Sequence, residues 1–88
     1  MEKLKQPKIA LVTGGGSGIG LAITEKFVRN NLTTIIVGRD MNKLNAARDR
    51  LGELCVPMCC DLTDLKSIPP LVEKIMNQYG YLDVLVNN

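Results

Sequence analysis

The chain has 88 residues, of which 45% are apolar, and its 11 basic and 9 acidic side chains give a formal net charge of +2. This length fits one domain or part of one, and the apolar fraction argues against disorder. The charges are spread along the chain, so no nucleic-acid partner is expected. The absence of histidine removes the commonest general base and the commonest metal ligand.

The chain start, the lengths of the apolar runs and the cysteine spacing predict where the protein is located and whether its cysteines bind metal. The charged start, MEKLKQPK, precedes no apolar stretch long enough for a signal peptide, and no run approaches the roughly 20 residues of a membrane helix. We therefore expect a soluble, cytoplasmic protein with no membrane partner. Cys55, Cys59 and Cys60 lack the CxxC spacing of a metal site, so we predict three reduced cysteines in the core.

The first half of the chain alternates short apolar runs with helical periodicity. KIALVT (residues 8–13) is continuously apolar, as expected for a parallel strand buried on both faces. TTIIVG (residues 33–38) is β-branched and apolar and predicts a second strand. A helix should lie between them and end at Asn30 or Asn31. Its apolar face is predicted to consist of Ile19, Ala22, Ile23 and Phe27.

The alternation continues in the middle of the chain. Asp40 is suited to cap a second helix that Gly52 ends. CVPMCC (residues 55–60) predicts a third strand, in which Pro57 indicates an edge position. The inward face of the second helix is predicted to consist of Leu44, Ala47 and Leu51.

A third helix is predicted from its caps and its prolines. Asp64 or Ser67 can cap it, and Gly80 ends it. Pro69 and Pro70 are tolerated only in its first turn, where the amide hydrogens are unpaired. Its apolar face is predicted to consist of Leu71, Val72, Ile75, Met76 and Tyr79.

DVLV (residues 83–86) predicts a fourth strand and completes the order βαβαβαβ. Strands that alternate with helices of this length imply an α/β fold with a parallel sheet. Because crossovers are right-handed, the sheet is either doubly wound or closed into a barrel.

TGGGSGIG, residues 13–20, places five glycines between the first strand and the first helix. Unpaired amides and the helix dipole at such a turn favour a phosphate group, and glycine lets a ligand approach the backbone. A purely structural turn would need one or two glycines, which favours a phosphate-binding loop. The spacing excludes a P-loop, because Leu21 stands where lysine is required. It also excludes GxGxxG, because Ile19 stands at the last glycine.

The pattern that fits is TGxxxGxG, at Thr13, Gly14, Gly18 and Gly20. With it the chain resembles the short-chain dehydrogenases/reductases, whose loop reads TGxxxGIG. CDLTD (residues 60–64) is similar to the acidic element that the family carries after its third strand. YGYLDVLVNN, at the end of the chain, resembles the fourth-strand segment that reads on as NNAG in the family.

The resemblance implies a Rossmann-like, doubly wound parallel sheet with its first four strands in the order 3-2-1-4 and the cofactor above their carboxyl ends. Residues 1–88 would form the N-terminal part of a single nucleotide-binding domain that stops within the NNAG segment. Asp61 and Leu62 would border the adenine, and Asn88 would approach the ribose while Asn87 ties strands together. The pyrophosphate and adenosine side would be held by Gly14, Ser17, Gly18, Ile19 and Gly20.

The end of the second strand, IIVGRD, bears on the choice between NADP(H) and NAD(H). Arg39 follows Gly20 by 19 residues, near the family position where an acidic residue reads the ribose of NAD and an arginine accommodates the 2′-phosphate of NADP. A guanidinium is well matched to a phosphate, so we predict a preference for NADP(H). NAD(H) stays open, because Asp40 would favour it if its carboxylate faced the ribose instead of capping the helix.

The resemblance also implies hydride transfer between a nicotinamide and a carbonyl or alcohol carbon, with a tyrosine acid/base in YxxxK and a serine that holds the substrate oxygen. Neither Tyr79 nor Tyr81 has lysine four residues on, and Ser17 and Ser67 belong to a loop and a helix start. We therefore name no catalytic residue. We expect an inactive N-terminal piece of a longer oxidoreductase that acts on a small-molecule substrate as a homo-oligomer.

The isolated chain should also fold poorly. Its third helix would cover one sheet face alone, and its fourth strand would be an exposed edge. The alternative from another class is a non-catalytic module that binds NADP(H) or regulates a partner, which a stable and soluble 88-residue protein would favour.

Overall fold

Four parallel strands form one sheet in the computed structural model, which describes residues 7–88. The strands are β1 (Ile9–Thr13), β2 (Thr33–Gly38), β3 (Cys55–Cys59) and β4 (Val84–Val86). Their spatial order is β3-β2-β1-β4, which confirms the predicted order and the edge position of Pro57 in β3. The two central strands are buried along most of their length, as continuous apolar runs require. The predicted absence of a signal peptide concerns the chain start, and residues 1–6 lie outside the described residues.

The helices between the strands are α1 (Gly18–Arg29), α2 (Met41–Leu51) and α3 (Ile68–Tyr79), and a 3-10 turn at Leu65–Ser67 precedes the last one. Asp40 caps α2, as predicted. Asp64 caps the 3-10 turn, whereas the side chain of Ser67 makes no cap hydrogen bond to α3. Both prolines lie in the first turn of α3, and Gly80 ends this helix with a φ of 80°.

Each face of the sheet has its own apolar core. One face is covered by α1 and α2, and its buried cluster consists of Ile36, Leu44, Ala47 and Cys55. The other face is covered by α3, which confirms the predicted placement of this helix. The buried cluster on that face consists of Ile9, Leu11, Ile35, Val37, Met58, Cys60 and Ile75.

The prediction for the apolar face of α1 is partly wrong. Ile19 is 73% exposed, and Ala22 is exposed as well. The residues of α1 that are fully buried are Gly20 and Thr24. A helix that contacts a sheet through small residues approaches it closely, and apolar side chains on the flank of that contact stay in solvent.

The predicted face of α3 is also too broad. Ile75 is buried, but Val72 and Met76 are 50% and 46% exposed. Leu85 of β4, at the outer edge of the sheet, is likewise exposed, at 63%. The helix buries only the stripe that lies against the strands.

The cysteines do not all lie in the core. Cys55 and Cys60 are buried, but the prediction is wrong for Cys59, which is exposed at the end of the edge strand β3. The Cys59 thiol lies 3.5 Å from the carbonyl oxygen of Arg39. All three thiols are free, and burial raises the pKa of Cys55. Within residues 7–88 no helix is long and apolar enough to span a bilayer, and no group of three potential metal ligands occurs.

Candidate functional site

A cleft of about 480 Å³ opens at the carboxyl edge of the sheet. All four strands point their carboxyl ends to this edge because they are parallel. The residues that line the cleft come from the four segments that end or follow the strands, namely 13–17, 37–44, 60–63 and 87–88. This edge is where ligands bind in open α/β sheets.

Six of the nine predicted binding residues line this cleft: Gly14, Ser17, Arg39, Asp61, Leu62 and Asn88. The other three, Gly18, Ile19 and Gly20, form the first turn of α1 next to Ser17 and are outside the lining. Sequence reasoning missed further lining residues, among them Lys43 and Thr63. Thr63 belongs to the CDLTD motif and so carried a signal, whereas Lys43 lies in no motif.

The glycines of the loop serve its own packing. Gly14 and Gly18 have φ values of 66° and 57°, which strain any residue with a side chain. A Cβ atom on Gly20 would clash with the carbonyl oxygen of Gly14, and one on Gly15 would clash with Ile36. The expectation that the turn needs only one or two glycines is therefore wrong. The number of glycines therefore does not by itself indicate an anion site.

Thr13 holds the loop against the end of β4. Its hydroxyl oxygen accepts a hydrogen bond from the backbone amide of Asn88 at 2.8 Å and lies 3.3 Å from Oδ1 of Asn87. On the other side, the amide of Gly14 donates to the carbonyl of Val37 at 2.8 Å. The loop is thus fixed to both strands that neighbour β1.

The amino end of α1 is free of acidic groups. Ser17 occupies the N-cap position, but its side chain makes no cap hydrogen bond, and the first turn contains no acidic residue. The first amides of a helix have no intrahelical partner and carry the positive end of the helix dipole. Because Ser17 also lines the cleft, this helix start is suited to an anion.

The carboxylate of Asp40 is used by α2. One of its oxygens accepts from the amides of Asn42 and Lys43 at 3.0 Å and 3.3 Å. The structure therefore favours the helix-capping role for Asp40 over a role in reading a ribose.

Asp61 is held by a local turn. Its Oδ1 atom accepts from the hydroxyl and the amide of Thr63, at 2.6 Å and 3.0 Å. These hydrogen bonds, with a smaller contribution from the charge of Arg39, lower the pKa of Asp61. Asp61 is half-buried, and because its pKa is lowered its carboxylate is ionised at neutral pH and can accept hydrogen bonds from a ligand.

An open parallel sheet, a glycine-rich turn after its central strand and a polar cleft at its carboxyl edge together define the Rossmann-like class of α/β proteins. Within that class, residues 8–88 match the family model of the short chain dehydrogenases. The chain belongs to this family.

Three similar proteins are reductases that are longer than this chain. It is 36% identical over 88 residues to the peroxisomal 2,4-dienoyl-CoA reductase of Mus musculus, and the match covers 96% of this chain and 30% of that protein. The menthone neomenthol reductase of Mentha piperita superposes with a TM-score of 0.87 at 34% identity, over 96% of this chain and 32% of that one. The L-sorbose reductase of Gluconobacter frateurii, complexed with NADPH and L-sorbose, has a TM-score of 0.84 at 32% identity, over 93% and 33%. The chain spans about a third of the length of these relatives.

Proposed function

We propose that this chain is the NADP(H)-binding part of a short-chain dehydrogenase/reductase. The whole enzyme would transfer hydride between a nicotinamide and a carbonyl or alcohol substrate. The observation that carries the proposal is the anion-binding start of α1 beside a cleft lined by Arg39. The family membership and the NADPH-bound relative support it.

The residues of the cleft fit a dinucleotide. The amides of the first turn of α1 would bind the pyrophosphate, and Gly14, which lines the cleft without a side chain, would let it approach the backbone. Asp61 and Leu62 would border the adenine from the end of β3. Asn88 would reach the adenosine ribose from the end of β4.

The choice of NADP(H) over NAD(H) rests on two side chains after β2. Arg39 lines the cleft, and a guanidinium binds a phosphate with two parallel hydrogen bonds. One carboxylate oxygen of Asp40 is bound to the amides of α2, which supports a capping role for this residue. The proposed cofactor is therefore NADP(H).

The proposal assigns binding, and no chemical step, to these 88 residues. NADPH supplies a hydride when it is bound. The role of this chain is to hold its adenosine and pyrophosphate in a fixed position, which sets where the nicotinamide lies. Neither tyrosine of the chain lies in a YxxxK motif.

The test is to titrate the complete gene product with NADPH and NADH by calorimetry, as the wild type and as Arg39→Gln. The substitution should weaken NADPH about tenfold or more, since it removes a charged hydrogen bond, and leave NADH unchanged. Arg29→Gln is the matched control, because Arg29 is 77% exposed on α1 and its salt-bridge partner within residues 7–88 is Glu25. A wild type that binds neither nucleotide would contradict the proposed function, and equal loss of both nucleotides would contradict the role of Arg39.

A further inference from the structure

Two polar side chains are completely buried within residues 7–88, and both belong to threonines. The hydroxyl of Thr34, in β2, donates to the carbonyl oxygen of Leu32 at 3.0 Å. The hydroxyl of Thr24, in α1, donates to the carbonyl oxygen of Gly20 at 2.8 Å. A buried hydroxyl without a hydrogen bond would destabilise the fold, so both bonds contribute to stability. The two threonines differ in their surroundings, because Thr24 also contacts the glycine loop.

The middle of the glycine loop rests on Thr24. Gly14 and Gly16 line the cleft, whereas Gly15 between them is buried and is outside the lining. A Cβ atom on Gly15 would lie 2.9 Å from the hydroxyl oxygen of Thr24. This oxygen lies 3.5 Å from the carbonyl oxygen of Gly15. Thr24 therefore supports the loop through a residue that does not border the cleft.

Gly20 connects the loop to the same threonine. A Cβ atom on Gly20 would clash with the carbonyl oxygen of Gly14, so the loop packs directly on this residue. The carbonyl oxygen of Gly20 accepts from the hydroxyl of Thr24, four residues further along the helix. A threonine that bonds to this carbonyl adjusts the local direction of a helix. The hydroxyl of Thr24 thus bears on the place of the loop and on the orientation of the first turn of α1.

We propose that Thr24 is a positioning residue for the cofactor: its buried hydroxyl fixes the glycine loop against the first turn of α1 and so aligns the backbone amides that bind the pyrophosphate. This inference rests on the proposed function. Thr24 is outside the cleft lining, so it acts through Gly15 and Gly20 and not by contact with the ligand. A site whose supporting contacts are loosened loses affinity even when its direct contacts are kept.

The test measures the affinities of the complete gene product for NADPH and NADH by calorimetry, together with the melting temperature. Thr24→Val puts a methyl group where the hydroxyl donates to Gly20, and it should weaken both nucleotides alike by about tenfold, since both contain the pyrophosphate. Thr24→Ala removes the hydroxyl without adding a clash and should weaken both by about threefold. Thr24→Ser keeps the hydroxyl, so it should bind both within about twofold of the wild type although the lost methyl group lowers the melting temperature.

Thr34→Val is the matched control. It removes the other buried threonine hydroxyl, which also donates to a backbone carbonyl. Thr34 is the second residue of β2, whereas the cleft lies at the carboxyl end of this strand. This variant should lower the melting temperature, as Thr24→Val does, and change neither affinity.

The outcomes separate the inference from the proposed function. If the wild type binds NADPH and both Thr24→Val and Thr24→Ala bind as tightly, the inference fails and the proposed function stands. The same holds if Thr24→Ser weakens binding as much as Thr24→Ala, if Thr34→Val weakens it as much as Thr24→Val, or if the loss is confined to one nucleotide. If the wild type binds neither nucleotide, the proposed function fails and the inference fails with it.

Discussion

The helices α1 and α2 begin at the same edge of the sheet, but their first turns use their amides in opposite ways. At α2, the carboxylate of Asp40 accepts from two amides of the first turn. At α1, Ser17 occupies the cap position without a side-chain hydrogen bond. The amides at the start of α2 are paired with a side chain of the chain, whereas those at the start of α1 have no side-chain cap.

The first turns of α1 and α2 show that a cap and an anion compete for the same backbone amides. A capped start contributes to helix stability whether or not a ligand is present. An uncapped start gives up that contribution and gains affinity for an anion.

The largest expected effect comes from Gly20→Ala. The new Cβ would clash with the carbonyl oxygen of Gly14 and lie 2.8 Å from Nδ2 of Asn88, so the start of α1 must move. We expect a loss of about 3 kcal/mol in the free energy of unfolding and no detectable NADPH binding. Urea denaturation and nucleotide titration measure the two effects.

The control for this variant is Gly80→Ala. Gly80 has a φ of 80°, but a Cβ there has no neighbour within 4 Å and lies at the end of α3. Backbone strain should cost about 1 kcal/mol, and NADPH affinity should stay unchanged. If Gly20→Ala behaves like Gly80→Ala in both measurements, the packing of the loop against α1 has no role in the site.

The next effect comes from Ser17→Asp, which makes the start of α1 resemble that of α2. A carboxylate at this cap should raise the melting temperature, because it accepts from the free amides and suits the dipole. The same charge should weaken NADPH and NADH alike by about tenfold or more, because it repels the pyrophosphate. Thermal denaturation and calorimetry of the wild type, Ser17→Asp and Ser17→Ala test this, and tighter binding by Ser17→Asp would exclude an anion site there.

A smaller effect is expected when the cap of α2 is removed. Asp40→Ala should lower the free energy of unfolding by about 1 kcal/mol, whereas Asp40→Asn should retain it, since asparagine caps equally well. Asp40→Asn should also bind NADPH somewhat more tightly, because a negative charge leaves the cleft. A loss of NADH affinity in Asp40→Asn would instead assign this residue to the ribose of NAD.

The smallest effect concerns the end of β3. Thr63→Val removes the strongest hydrogen bond to Asp61, so the pKa of this carboxyl should rise towards its ordinary value. Because folding lowers this pKa, the carboxylate stabilises the fold at neutral pH, and that stabilisation is lost as the pH falls through the folded pKa. In Thr63→Val the loss of stability on acidification should be smaller and should occur at a higher pH. A carboxyl NMR titration of the wild type and Thr63→Val measures the pKa of Asp61. An unchanged pKa would show that the hydrogen bond from the backbone amide alone lowers it.

Sequence reasoning predicted the sheet and α2 well because their signals are local. The apolar run of β2 matches its strand, and Leu44 and Ala47 are buried as their spacing in α2 indicates. Pro57 is compatible with an edge strand only, and β3 is one. The cap at Asp40 follows from the chemistry of a single residue.

The errors arose where contacts between distant segments decide. Ile19 has the right spacing for a helix face, but the close approach of Gly20 to Gly14 sets which side of α1 meets the sheet. Cys59 is the last residue of β3, and its side chain is exposed because it lies at the open end of this edge strand. Most of the cleft residues were found from their motifs, whereas Lys43 has no motif, and only the fold brings it to the cleft.

The hydrogen bond between Thr13 and Asn88 has a consequence for folding. It joins residues that are 75 positions apart, and it fixes the glycine loop to β4. Contacts of such long range form late, because the chain must first lose the entropy of closing the intervening loop. During synthesis, the first strand and loop would leave the ribosome well before the residue that completes them. We therefore expect nucleotide binding to appear only once β4 has docked, so that cofactor capture reports the last step of assembly and not the first.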